Sequence, residues 1–236
     1  MTAPRCAMVL AAGFGTRMGE LTRSQPKPLL CVAGKALIDH ALDILVDAGV
    51  ARAVVNLHYL GEQIRAHLAS RASPFVVFSE EQPNILDTGG GVVHALPDLG
   101  PAPFVTINSD AIFHGPNPVN ILTSAWQPDA MDGLLLLVSV EQARAYSRAG
   151  DFFVEADGRT PRRRDDACSA PYIFAGAQII RPEAYMDAPN GAFSNNLIWD
   201  RLLAEGRLAA VTYPGQWVDV GTPEGLAVGN VLMADG

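Results

Sequence analysis

The chain has 236 residues, 49% of them hydrophobic, and a formal charge of −8 at pH 7. This length suits one domain, or one domain with a small lobe, and the negative charge argues against nucleic acid or an anionic membrane as the main partner. No apolar run reaches the roughly 18 residues of a membrane span, and we expect no secretion signal. The three cysteines are scattered, which favours a reducing cytoplasm over a disulfide framework or zinc site.

A glycine-rich turn follows the first predicted strand. The apolar run from Cys6 to Ala11 is short enough to be a buried strand, and it leads into Gly-Phe-Gly-Thr-Arg at 13–17. Glycines let backbone N–H groups come close to a ligand. Arg17 ends this turn, and Lys27 lies between two prolines that restrict its backbone. A strand end, bare amides and two cations together suit a triphosphate.

Two common glycine patterns do not fit this turn. A dinucleotide fingerprint has the spacing G-x-G-x-x-G, but Met18 stands where the third glycine belongs and Gly19 comes one residue late. The second predicted strand ends in Asn56 and Leu57 rather than in an acidic residue. A Walker P-loop, G-x-x-x-x-G-K-[ST], does not occur. An NAD-dependent dehydrogenase is therefore the weaker alternative.

Helices and strands alternate up to about residue 115. We predict helices over residues 37–45, 61–70 and 91–96, and strands over residues 53–57, 75–78 and 104–108. Such alternation predicts a parallel sheet covered on both faces, whose ligands bind at the carboxyl ends of the strands. The Gly13 turn and the turn at 108–110 both fall at that edge, so we expect them to face one another.

The pattern is looser after residue 115. We predict helices over residues 118–126, 195–205 and 223–233, and strands over residues 133–140, 151–155, 172–180, 208–213 and 217–220. Thr222 is a suitable N-cap for the last helix, with Pro223 at its first position. The polar segment 158–170 carries four arginines and predicts a surface loop.

Several of these strings resemble one enzyme family. Leu-Ala-Ala-Gly-x-Gly-Thr-Arg-Met at 10–18, with Pro-Lys-Pro at 26–28, resembles the start of the sugar-1-phosphate nucleotidyltransferases. These enzymes make a nucleotide sugar from a nucleoside triphosphate and a sugar 1-phosphate. The resemblance runs from about Ala7 to Leu232 and is weak in the middle third.

The resemblance implies an α/β fold built on a doubly wound, mostly parallel sheet. This is a Rossmann-like, glycosyltransferase-A-type nucleotidyltransferase fold with a small lobe on the sugar side. It implies a single domain, residues 1–236, with a nucleotide-binding half at about 1–115 and a sugar-binding half at about 116–236. The implied partners are a nucleoside triphosphate and a sugar 1-phosphate, and we expect a monomer or a homodimer.

The resemblance also implies roles for individual residues. Arg17 and Lys27 are the implied catalytic residues. Nucleotide contacts are implied for Ala11, Ala12, Gly13, Gly15, Thr16, Arg17, Glu81, Gln82, Asp87, Thr88 and Gly89. Sugar contacts are implied for Asn108, Gly150, Asp151, Gly176 and Asn195. Asp110, in Asn-x-Asp, and Asp219, in Trp-x-Asp-x-Gly-Thr, resemble the family's metal-binding aspartates, and Mg²⁺ is commonly held by one or two carboxylates with substrate phosphates.

The chain departs from the family at two positions. Many members hold the sugar phosphate with a second lysine in the middle of the chain, but Lys27 and Lys35 are the only lysines here. Arginines 162–164 could substitute, although a run of arginines in a polar loop is usually solvated. Ser109 stands where the family often has glycine.

Two substrate pairs and one alternative class remain open at this point. The length and the strings D-T-G-G-G, G-A-F and W-V-D-V-G-T look most like N-acetylmuramate-1-phosphate uridylyltransferases, and they are also similar to mannose-1-phosphate guanylyltransferases. The implied substrates are therefore UTP with N-acetylmuramate 1-phosphate or GTP with mannose 1-phosphate. A non-catalytic nucleotide-sugar-binding protein on the same fold has less need for both Asp110 and Asp219.

Overall fold

The computed structural model describes residues 3–165 and 168–234. The strands are β1 (Cys6–Leu10), β2 (Cys31–Val32), β3 (Lys35–Ala36), β4 (Arg52–Leu57), β5 (Phe75–Glu80), β6 (Phe104–Asn108), β7 (Ala111–His114), β8 (Gly133–Ser139), β9 (Ala143–Arg144), β10 (Phe152–Val154), β11 (Pro161–Arg163), β12 (Tyr172–Ile180), β13 (Leu208–Thr212) and β14 (Gln216–Asp219). The helices are α1 (Leu37–Asp47), α2 (Gly61–Leu68), α3 (Asp87–Leu99), α4 (Pro118–Ala125), α5 (Asn196–Ala204) and α6 (Pro223–Ala234). None of the helices in the described ranges is both long and apolar enough to cross a membrane.

A large mixed sheet forms the centre of the fold. Its main path runs β11-β10-β12-β6-β1-β4-β5, and β8 and β13 join it beside β12. The strands β6, β1, β4 and β5 are parallel to one another, whereas β12 is antiparallel to both β6 and β8. The predicted α/β fold with a mostly parallel sheet is confirmed. Its antiparallel part comes from the second half of the chain.

Both faces of this sheet are covered by helices. Along β1, Ala7 and Val9 pack in the core that includes α1 and α4, while Met8 packs in the core that includes α3 and α5. This alternation follows from the two-residue period of a strand. Leu10 pairs with Asn108, so β1 and β6 end at the same edge of the sheet.

A small second sheet joins the two halves of the chain. Strand β14 lies between β7 and β9, and it pairs antiparallel with β7 so that Asp219 lies opposite Ala111. The last helix, α6, packs beside β14 and β2 around buried Val32 and Val220. The hydroxyl of Thr222 accepts the N–H of Gly225 at 3.2 Å, which confirms the predicted N-cap.

Two predictions of secondary structure were wrong. The arginine-rich segment 158–170, predicted as a loop, contains β11, which pairs antiparallel with β10 at the edge of the sheet. An edge strand keeps one side in solvent and therefore accepts charged side chains. Helix α3 begins at Asp87 rather than at Gly91. The N–H groups of Gly89 and Gly90 both donate to the carbonyl of Phe193, and this tertiary contact offsets the low helix propensity of glycine.

Candidate active site

Two cavities open side by side at the carboxyl edge of the parallel strands. The first has a volume of about 290 Å³ and contains the turn after β1. The second, of about 400 Å³, lies toward β10 and β12. Six residues line both: Leu10, Arg17, Asp87, Thr88, Asn108 and Asp110. A ligand in one cavity would therefore meet a ligand in the other along this shared border.

Most of the residues predicted to contact the nucleotide line the first cavity. Its lining includes Ala11, Ala12, Gly13, Gly15, Thr16, Arg17, Lys27, Glu81, Asp87 and Thr88. Within the described residues, Gln82 and Gly89 line neither cavity. Gln82 is exposed, whereas Gly89 is buried, with a Cβ position that would overlap the ring of Phe193. The conformation therefore needs glycine at position 89 for packing against that ring.

A buried hydrogen-bond chain fixes the walls of the first cavity. The N–H of Ala11 donates to Asn56 Oδ1 at 2.7 Å, and Asn56 Nδ2 donates to Glu81 Oε1 at 2.7 Å. The other carboxylate oxygen of Glu81 accepts the N–H of Leu86 at 2.7 Å. Glu81 is completely buried, and both of its carboxylate oxygens are engaged within the protein. This chain of hydrogen bonds connects the turn after β1 to the loop before α3.

Lys27 reaches the shared border from a short 3₁₀ turn, Lys27–Leu29. Its ammonium nitrogen lies 2.5 Å from Asp110 Oδ2, and only 8% of the residue is exposed. Gly15 makes room for this side chain. Its φ is +65°, and a Cβ there would lie 3.0 Å from Lys27 Cβ. The glycine turn and the buried cation therefore depend on each other.

Two arginines surround Asp219. Arg17 Nη1 lies 3.6 Å from Asp219 Oδ2, and Arg148 Nη2 lies 3.2 Å from the same oxygen. A Cβ at Gly221 would lie 2.6 Å from the guanidinium of Arg17, so only glycine leaves that group in place. Both arginine side chains are more than half exposed, so they can turn toward an anionic ligand.

Asp110 and Asp219 come together although the sequence separates them widely. Asp219 is the last residue of β14, and the N–H of Val220 donates to the carbonyl of Asp110 at 2.9 Å. Both residues line the second cavity. Two carboxylates on neighbouring segments suit Mg²⁺, which commonly takes its remaining ligands from water and substrate. Among the described residues, no group of three or more His, Cys, Asp or Glu side chains could hold a metal ion by itself.

Four of the predicted sugar contacts line the second cavity: Asn108, Gly150, Asp151 and Asn195. Gly176 does not line it in the described structure. It has a φ of +82°, and a Cβ there would lie 3.1 Å from the side chain of Asn108. Gly176 therefore leaves space for Asn108. Gly150, with a φ of +71°, leaves no space for a Cβ beside the carbonyl of Ala170.

Asn195 lines the second cavity and contacts Thr88, which lines both cavities. It is buried, its N–H donates to Thr88 Oγ1 at 2.9 Å, and its Oδ1 accepts the hydroxyl of Tyr185 at 2.7 Å. Burial raises the pKa of Tyr185, so that hydroxyl stays protonated and keeps donating. Ser109, which replaces a frequent glycine, is accommodated because its hydroxyl donates to the carbonyl of Leu10 at 2.7 Å.

The sequence did not identify several residues of the second cavity. These include Arg148, Gln178 and Trp199. The ring of Trp199 packs edge-on against Phe174 at 4.6 Å, and its indole N–H donates to Gln178 Oε1 at 2.8 Å. Arg148 belongs to no sequence motif that predicts a ligand contact, and only its ion pair with Asp219 in the structure indicates such a role. Arg163 and Arg164, two of the three arginines considered from the sequence, also line this cavity, whereas Arg162 does not.

Comparison with known proteins identifies the family. The profile of the MobA-like NTP transferase domain matches residues 7–161, which is more than half of the chain. The chain belongs to this family. This NTP transferase is 43% identical to the N-acetylmuramate alpha-1-phosphate uridylyltransferase of Caulobacter vibrioides, over 99% of this chain and 98% of that protein.

Further relatives agree with this assignment. The NTP transferase is 33% identical to the protein of the same name from Neisseria meningitidis serogroup B, over 92% of this chain and 93% of that protein. It is 27% identical to the mannose-1-phosphate guanylyltransferase catalytic subunit beta of Drosophila pseudoobscura pseudoobscura, over 96% of this chain and 62% of that protein. The predicted resemblance to sugar-1-phosphate nucleotidyltransferases is confirmed, and the chain is an enzyme of that class.

The fold of this NTP transferase also occurs in solved structures. HddC from Yersinia pseudotuberculosis, complexed with GMP-PN, superposes with a TM-score of 0.77 at 23% identity, covering 97% of this chain and 99% of that chain. At this identity the likeness supports the fold.

Proposed function

We propose that this enzyme transfers the uridylyl group of UTP to N-acetylmuramate 1-phosphate and releases pyrophosphate. The likeness at 43% identity, which extends over nearly the full length of both chains, carries the choice of substrates. The second relative of that name supports it at 33% identity. The mannose-1-phosphate guanylyltransferase is less similar, and this chain spans only 62% of its length.

The first cavity would hold the triphosphate. The backbone amides of the turn after β1 and the guanidinium of Arg17 lie where they can bind the β- and γ-phosphates. Lys27 would neutralise charge on the α-phosphate, since it reaches the border between the cavities. These groups are preorganised by the fold, and such groups stabilise charge that develops in a transition state.

The second cavity would hold the sugar phosphate. A phosphate oxygen of this acceptor attacks the α-phosphorus of UTP, a new P–O bond forms, and the bond to pyrophosphate breaks. Positioning is the main task of the protein, because the acceptor itself is the nucleophile. Arg148 would orient the acceptor phosphate, because it lines this cavity and lies beside Asp219.

Asp110 and Asp219 would hold Mg²⁺. Asp110 lies in the turn after β6, Asp219 ends β14, and both line the second cavity, where their oxygen donors fit that ion. When bound, Mg²⁺ supplies Lewis acidity and a template for the two substrates. The cations Lys27, Arg17 and Arg148 now pair with these carboxylates and would turn toward substrate phosphates as the ion takes their place.

A substrate matrix tests this function. UTP, GTP, ATP, CTP and dTTP are each combined with N-acetylmuramate 1-phosphate and with mannose 1-phosphate, and pyrophosphate release is measured with Mg²⁺ and with EDTA. We expect the highest turnover for UTP with N-acetylmuramate 1-phosphate, and none with EDTA. Preference for GTP with mannose 1-phosphate would contradict the assignment. Asp219→Asn serves as a control for contaminating activity, since it removes a carboxylate that holds the ion.

A further inference from the structure

The second cavity carries a cation that the proposed reaction does not use. Arg163 lines this cavity, and about one third of its side chain is exposed. Its cross-strand partner is Phe152 on β10, and directly paired residues place their side chains on the same face of a sheet. Phe152 is buried, lines the same cavity and packs edge-on against Trp199 with ring centroids 6.0 Å apart. The strand pairing therefore directs Arg163 toward the cavity.

The preceding arginine lies on the other face. Arg162 pairs with Phe153, and its guanidinium lies over the ring of Phe153, 4.3 Å from the centroid. It is not among the described residues that line the second cavity. Successive residues of a strand face opposite sides, which explains the difference. Of these two residues, Arg163 lines the cavity and Arg162 does not. The next residue, Arg164, also lines it and donates hydrogen bonds to the carbonyls of Gly150 and Asp165.

Helix α5 holds Arg163 in place. Its Nη1 atom is buried and lies 3.3 Å from Asp200 Oδ1. A guanidinium has five N–H donors in one plane, so an ion pair through Nη1 leaves other donors of the group for a ligand. A planar fork of this kind matches a carboxylate, which it can bind through two parallel hydrogen bonds.

Arg163 and Asp219 lie on different walls of the second cavity. Asp219 belongs to the small sheet, whereas Arg163 belongs to the edge of the large sheet. Strand β12 runs antiparallel to β6 and pairs Ala177 with Ile107. The residues at the beginning of β12 lie beyond the end of β6, where Tyr172 pairs with Phe152 of β10. Strands β10 and β11 therefore lie beyond the carboxyl edge of β6. An acceptor bound by its phosphate near Asp219 would extend its sugar ring into the space that these strands enclose.

We propose that Arg163 binds a second anionic group of the acceptor, a carboxylate carried on the sugar ring. This inference rests on the proposed function, because N-acetylmuramate 1-phosphate carries a lactyl carboxylate in addition to its phosphate. N-acetylglucosamine 1-phosphate has the same ring and phosphate without that carboxylate. Arg163 would therefore select the carboxylated acceptor over the neutral-ring analogue.

The test compares Arg163→Gln with Arg162→Gln, which removes the same charge one residue away. KM and kcat are measured with UTP for both sugar phosphates, and titration calorimetry measures the binding of each sugar phosphate without nucleotide. We expect Arg163→Gln to weaken binding of N-acetylmuramate 1-phosphate by about 10- to 100-fold, the range for one charged hydrogen-bonded group. Binding of N-acetylglucosamine 1-phosphate should stay unchanged, and Arg162→Gln should affect neither. Arg163→Lys, which keeps the charge but loses the fork, should have an intermediate effect.

Several outcomes would overturn the inference. These are an equal loss for both sugar phosphates in Arg163→Gln, the same loss in Arg162→Gln, or an unaltered enzyme that binds both sugar phosphates equally. Equal melting temperatures of the two glutamine variants would exclude a folding defect. The proposed function fails separately, if the unaltered enzyme releases no pyrophosphate from UTP with N-acetylmuramate 1-phosphate. In that case, the calorimetric comparison of the variants still tests whether Arg163 binds the carboxylate.

Discussion

Lys27 Nζ lies 2.5 Å from Asp110 Oδ2, although 83 positions separate the two residues. The ammonium is nearly buried, and the carboxylate is 29% exposed toward the border of the two cavities. A buried cation paired with one carboxylate is poised to exchange that partner for a phosphate. This pair therefore joins the turn region after β1 to the end of β6 at the point where the reaction would take place.

Replacing Lys27 should reduce catalysis far more than stability. Lys27→Met keeps an unbranched stem in the same space but removes the charge, and the loss of one such electrostatic contact lowers kcat by about 100-fold. Lys35→Met is the matched control, because Lys35 is the other lysine of the chain and pairs with Asp43 at the surface. Turnover with UTP and melting temperature are measured for both. Near-normal turnover of Lys27→Met would remove this lysine from the mechanism.

Gly221→Ala should displace Arg17 while the fold is retained. The new Cβ would lie 2.6 Å from the guanidinium, whose exposed, flexible side chain can move away. We expect kcat/KM for UTP to fall roughly 10- to 100-fold, as for the loss of a charged hydrogen bond. Gly229→Ala is the control, because its Cβ would lie 3.4 Å from Val32, an ordinary contact. A similar loss in both variants would contradict the specific role of Gly221.

The buried pair Asn56 and Glu81 should tolerate an exchange of donor and acceptor, but not either single change. Glu81→Gln sets an amide donor against another donor, and Asn56→Asp sets two carboxylates together, so each should lower the free energy of unfolding by about 1–3 kcal/mol. In the double variant, the new carboxylate at position 56 accepts the N–H of Ala11 and an N–H of the new amide at position 81. The oxygen of that amide still accepts the N–H of Leu86. Urea denaturation should show that the double variant recovers most of the loss, whereas additive losses would show that the two side chains act independently.

Asp132 should contribute stability that depends on pH. A bidentate hydrogen bond from Arg207 lowers the pKa of Asp132, and the charge of Arg181 adds to this effect. Because the folded-state pKa is lowered, the contribution is present above the ordinary aspartate value of about 4 and is lost as pH falls through the lowered pKa. Asp132→Asn should therefore lower the urea midpoint at pH 7 and approach the unaltered protein in strongly acidic solution. The exposed Asp187→Asn, measured at the same pH values, is the control for the substitution itself.

Short sequence strings were sufficient to predict residues that lie together at the centre of the candidate site. The turn after β1 and Asp110 follow strands that end together, because parallel strands place their carboxyl ends at one edge. Lys27 and Asp219 were found from the strings around them. For Asp219, the pairing of β7 with β14 shows why a residue so late in the chain lies beside Asp110.

Other features depend on tertiary contacts that local patterns do not encode. Gly89 and Gly176 were predicted as ligand contacts, but their missing Cβ atoms leave space for Phe193 and Asn108. Strand β11 was missed because an edge strand with charged side chains has the composition of a loop. The same error concealed the difference between Arg162 and Arg163, which is a matter of strand register.

The pairing of β7 with β14 also limits how the enzyme can move. Asp110 and Asp219 are carried by one hydrogen-bonded ladder, and a hinge between the two halves of the chain would have to break its main-chain bonds. The separation of the two acids is therefore built into the rigid part of the molecule. The two acids already lie on adjoining segments, so no movement of one half of the chain against the other is needed to bring them together.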